Sequence, residues 1–236
     1  MILGLLLTPT LLLAAPAGDT RNKALGLLKK DALVGAASLY QKSCAALKDA
    51  DCYNEYGVAL TAMGKYRQAL AQFKRALVLN PKSSKIHSNT AIAYFYAKRS
   101  NQALYHHKKA IGLDKSNLKA RINYAVFLTR ARRYREAENL LGSVLLERKD
   151  YFFAHLFLGY VYYRTGRHRA AVSQFTKGIA QNDKYFDLYY YRAHANYRAG
   201  DRGAALADLN KADQLYPSNR KTQILRKRLI RSNRKW

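Results

Sequence analysis

Acidic side chains are scarce in this chain: 15 Asp and Glu stand against 42 Lys and Arg, a formal charge of +27 over 236 residues. So few carboxylates leave no convincing pair for general acid and base work. Cysteine is scarcer still, and six scattered histidines add no zinc-type spacing to Cys44 and Cys52. A glycine-rich phosphate loop is also missing. The chain is therefore read as no enzyme, with no metal and no cofactor. Its longest apolar run, Ile2 to Leu13, falls short of the roughly 20 residues that a membrane-spanning helix needs.

What is present is enough apolar content, 49%, for a folded core. The first seventeen residues carry no charge, and Ala15-Pro16-Ala17 supplies a small-x-small cleavage pattern. Residues 1–17 are read as a secretory signal peptide, which places the protein in an export pathway and, by expectation, in the bacterial periplasm. The alternative is an uncleaved membrane anchor. No Cys lies at the expected cleavage point, so a lipoprotein signal is not supported.

From position 53 the chain reads Tyr53, Tyr56, Gly57, Leu60, Gly64, Tyr66, Ala69, Phe73, Ala76, Pro81, and similar residue types return at intervals of 34. That order resembles the tetratricopeptide repeat (TPR). The resemblance implies an all-α fold, a right-handed superhelical solenoid of antiparallel helix pairs. Five full repeats are expected at 50–83, 84–117, 118–151, 152–185 and 186–219, with no insertion among them. Small residues at Gly57, Ala69 and Ala76 let paired helices approach, and Pro81 ends the second helix of the first pair. Residues 18–49 are expected to form a degenerate N-terminal repeat, and 220–236 a basic C-terminal capping helix.

The text from Tyr40 to Gly57 also resembles the cysteine-rich Sel1-like relatives of this family, in which a Cys late in one helix bonds to a Cys opening the next. The resemblance implies a Cys44–Cys52 disulfide. Buried free thiols are the other reading.

The register places His87 and His155 where Tyr53 stands, His168 where Tyr66 stands, and His107 where Phe73 stands. These are packing positions, not ligands. In this family the first helix of each repeat lines a concave groove. Translated through the repeats, that face includes Asn54, Asn89, Phe95, Tyr96, Lys119, Asn123 and Arg130, then Phe153, Phe157, Tyr160, Tyr163, Arg164, Tyr190, Tyr191, His194, Tyr197 and Arg198. Arg130, Arg164 and Arg198 form a basic ladder, and Tyr163 and Tyr197 an aromatic one. Asn amides would hold a ligand's main chain, and Arg its carboxylates.

The expected function is an exported scaffold or adaptor, gripping a protein or peptide partner of acidic character during assembly of a cell-envelope complex. The alternative is a polyanion-binding protein. It would use Arg226, Lys227, Arg228, Arg231, Arg234 and Lys235 on acidic polysaccharide, an anionic membrane surface or, less so for an exported protein, nucleic acid. The carboxylate clamp that some family members use for chaperone C-termini is incomplete, because only Asn89 and Lys119 match it.

Overall fold

The structure, a computed structural model, describes residues 19–29 and 32–231; the expected signal peptide lies outside the described residues. Thirteen α-helices and no strand occur among them. In order they are α1 (Asp19–Lys29), α2 (Leu33–Leu47), α3 (Ala50–Ala62), α4 (Tyr66–Leu79), α5 (Ser84–Tyr96), α6 (Ser100–Leu113), α7 (Leu118–Arg130), α8 (Tyr134–Glu147), α9 (Phe152–Arg164), α10 (His168–Gln181), α11 (Phe186–Ala199), α12 (Arg202–Leu215) and α13 (Arg220–Arg231). The fold is all-α, with adjacent helices packed in pairs as in TPR solenoids. Contacts divide the chain into two compact units, Met1–Tyr124 and Ala125–Trp236.

In the first unit, α1 packs on α2 and α2 on α3, and two ties reinforce the stack. Arg21 donates from Nε and Nη2 to both oxygens of Glu55, at 2.9 and 2.8 Å. Cys44 and Cys52 are joined by a disulfide between the end of α2 and the start of α3. Closing so short a loop contributes on the order of 2–3 kcal/mol in the chain-entropy view. Asp49 caps α3 by accepting from the Cys52 amide at 2.8 Å, which sets the second cysteine on the first helical turn.

The turn inside each of the five pairs from α3–α4 to α11–α12 holds one left-handed residue. Gly64, Gly166 and Gly200 supply it at φ +75°, +79° and +91°, but Lys98 and Arg132 take the same role at φ 61° and 60°. For those two the conformation costs about 1 kcal/mol or more, which packing on either side offsets.

Core volumes are matched across each pair. Phe73 and Phe175 are fully buried against Gly57 and Gly159. A Cβ added at either glycine would lie 2.7 Å from the opposing ring. At the equivalent positions of the other repeats, all buried, a smaller large residue goes with a larger small one: His107 with Ala91, Leu141 with Ala125, and Leu209 with Ala193.

His107 is the polar member of that series, and its ring stacks on Tyr124 at 5.4 Å. Burial, then His106 beside it, holds its pKa down to about 3. The unfolded chain takes up this proton below about pH 6.5 whereas the folded chain does not, so acid favours unfolding. Melting followed by circular dichroism is expected to show stability falling as pH drops from about 6.5 toward 3. A His107→Leu variant, which copies the Leu141–Ala125 pair, should flatten that fall. An unchanged slope would remove His107 as its source.

Candidate functional site

The second unit carries a continuous wall of rings on the first helices of two pairs. Tyr160 on α9 meets Tyr191 on α11 edge-on at 5.3 Å, and Tyr163 meets His194 at 5.9 Å. Tyr190 closes on His194 at 4.8 Å and on Tyr191 at 5.2 Å. All five, with Tyr197, are half-buried, so part of each side chain remains accessible. Edge-to-face contacts fix these rings at little further entropic cost.

Cations rim the wall. Arg164 donates to the Tyr160 hydroxyl at 3.2 Å, and its guanidinium lies 5.8 Å from the Tyr160 ring and 5.9 Å from that of Tyr134. Lys221 of α13 lies 5.7 Å from the Tyr190 ring. Arg130, Arg164 and Arg198 are exposed, and none is paired with a carboxylate among the described residues. Burial, then Arg228 and Arg198, holds His194 down to about pKa 4, so its imidazole is neutral at physiological pH. Burial pushes the Tyr190 and Tyr191 phenols up, which keeps both hydroxyls as donors. The wall therefore offers apolar ring faces, neutral donors and fixed positive charge, a combination suited to an acidic, partly apolar chain.

Several residues expected at the groove lie elsewhere. Phe157 is buried in the core. Asn54, Asn89 and Asn123 are buried as well: Asn89 donates to Asn54 Oδ1 at 2.9 Å, and Asn123 to Ser88 Oγ at 3.0 Å. These amides clasp neighbouring first helices together, and are not turned to a ligand's main chain. Lys119 is half-buried, and burial, with Lys85 behind it, lowers its pKa to about 8. In α13, Arg226 is engaged with Asp213 at 2.8 Å, while Lys227 and Arg228 are exposed. The Arg231 side chain, Arg234 and Lys235 lie outside the described residues.

The sequence reading missed a second concavity, in the first unit. Between α4, α5 and α6 lies a cavity of about 670 Å³ with Leu70, Leu77, Val78 and Tyr94 among its lining and Arg67 and Arg99 at its edge. His106 faces it. His87 Nε2 donates to the Pro81 carbonyl at 3.1 Å, so the neutral ring has a bare Nδ1, which accepts from His106 Nδ1 at 2.9 Å. Burial lowers both pKa values, that of His106 to about 4. The cavity's lining residue Val78 is 74% exposed, but in the sequence nothing sets that valine apart from the buried apolar residues of α4. No group of three His, Cys, Asp or Glu that could hold a metal occurs among the described residues, and none of their helices is long and apolar enough to cross a membrane.

Three family models match consecutive parts of the chain: a TPR repeat model at residues 57–96 and two tetratricopeptide repeat models at 94–155 and 156–220. Among curated proteins none matches by sequence at a significant level. Solved structures do match in fold. Pseudomonas aeruginosa PilF is 22% identical with a TM-score of 0.68, over 78% of this chain and 84% of its own. PilW, described as a widely conserved type IV pilus biogenesis factor, is 15% identical with a TM-score of 0.74, over 90% and 99%. YrrB, described as a TPR protein with an unusual peptide-binding site, is 20% identical with a TM-score of 0.54, over 81% and 99%.

Proposed function

We propose that this chain, which is a tetratricopeptide repeat protein, acts as an exported scaffold that grips a protein partner on the aromatic and basic wall of its second unit. The observation that carries the reading is that wall: five rings in mutual contact, rimmed by arginines that no carboxylate of the described chain neutralises. Rigid tyrosines give large contact area at low entropy cost, and unpaired arginines favour a partner's acids. The Cys44–Cys52 disulfide supports an oxidising compartment, since such bonds persist mainly in exported proteins. The fold-level likeness to PilW supports work on an envelope assembly. A part in a particular complex rests on that analogy alone.

The test is affinity purification from the native cell of wild type and of the Arg164→Glu, Arg198→Glu double variant, each in low and in high salt. The proposal expects at least one protein partner to survive high salt with wild type and to be lost from the variant. An identical partner set would sink it. Partners that vanish in salt from both proteins would instead favour the polyanion reading.

A further inference from the structure

We propose that the wall recognises a polyproline II segment of its partner with a carboxylate at every third residue. The inference rests on the groove reading above and adds the conformation and the spacing of what is bound. Arg130, Arg164 and Arg198 occur one per first helix, at the ends of α7 and α9 and one residue before the end of α11. They are separated by one 34-residue repeat each. First helices α9 and α11 touch, and helices packed side by side lie about 8–10 Å apart, so Arg164 and Arg198, in the same register, offer cationic sites at roughly that interval.

An extended ligand must present its acids with the same period on one face. Polyproline II does so, with three residues per turn and about 3.1 Å of rise per residue, or about 9 Å per turn. A β-strand turns every third residue to the opposite face. An α-helix rises only about 1.5 Å per residue, so it would need acids about seven residues apart.

The chemistry between the arginines fits the same ligand. Polyproline II leaves its backbone carbonyls without internal partners, and tyrosine hydroxyls can donate to them. Proline rings pack on aromatic faces, which is how proline-rich segments are read in other aromatic-lined grooves. Tyr160, Tyr163, Tyr190 and His194 present such faces on the helices that carry Arg164 and Arg198. Arg164 is already positioned by the Tyr160 hydroxyl and by two rings, so it loses little freedom on binding.

The experiment titrates the disulfide-intact full chain with three fluorescein-labelled peptides of equal charge, read by anisotropy. One repeats Glu-Pro-Pro, one repeats Glu-Gly-Ser, and one is Ala-rich and helical with Glu at every seventh position. The expected result is Glu-Pro-Pro binding at least about tenfold more tightly than either control, lost in Arg164→Glu and in Tyr163→Ser, and retained in Lys227→Glu, an exposed lysine of α13 that touches none of the wall's rings. Equal binding of Glu-Gly-Ser, tighter binding of the helical peptide, or no binding of Glu-Pro-Pro would each overturn the inference. None of these would touch the groove reading, which stands or falls on the partners lost by the double arginine variant.

Discussion

A Phe175→Ala variant is expected to unfold in urea with about 3–5 kcal/mol less stability than the native chain. Phe175 is fully buried on α10, its ring lying over the bare Cα of Gly159 and stacked at 6.2 Å on Tyr191. Removing the ring leaves a cavity that neighbouring helices can only partly fill, because each is held by pairs on both sides. The sharper test lies at the glycine. Gly159→Ala should gain up to about 1 kcal/mol in helix propensity. Its new methyl group nonetheless meets the ring at 2.7 Å, and overpacking of this kind costs about 1–3 kcal/mol. Combining Gly159→Ala with Phe175→Leu recreates the Ala125–Leu141 and Ala193–Leu209 pairs found elsewhere in the chain. The double variant should therefore be more stable than the sum of the two single changes allows. Strict additivity would show that the volumes are not coupled.

That coupling is why so much of the fold was legible. Each helix pair needs the same small and large residues at the same places, so the requirement recurs every 34 positions and stands out against the loops. The faces that carry function were less legible for a physical reason. A first helix presents adjacent residues to its own partner, to the next first helix and to the groove, and which of these a side chain meets depends on what the neighbouring helix offers. Asn54 and Asn89 share the groove-side stretch of their helices, but each found the other's amide. Phe157 found the core. The ring wall was readable because aromatic residues cluster on α9 and α11 regardless of small errors in facing. The outer cavity was not, since it is formed by the gap between helices and no single residue type marks it.

Interactions that occur once are the hardest to read from a repeat, and the buried carboxylate of α12 is the clearest case. Asp208 is 4% exposed, yet it accepts from Arg192 Nε and Nη2 at 3.0 and 2.6 Å and from Asn196 Nδ2 at 3.0 Å. Arg192 reaches on to Thr176 Oγ1 at 2.9 Å, so one network joins α10, α11 and α12. Asp208→Ala should cost about 3 kcal/mol, the lower end for breaking a buried ion pair, because the guanidinium retains some access to water and to the Tyr189 ring. One pair earlier, the corresponding positions hold Leu158 and Gln174, with no charge at either. Arg192→Leu combined with Asp208→Gln copies that arrangement and leaves Asn196 an amide oxygen to bond. If the network's cost lies in stranding one charge, the double variant should recover most of what Asp208→Ala loses. If it unfolds as readily as Asp208→Ala, the charges themselves hold the last pairs of helices together, and the surface beneath Tyr189 and Tyr190 depends on an ion pair that no other repeat contains.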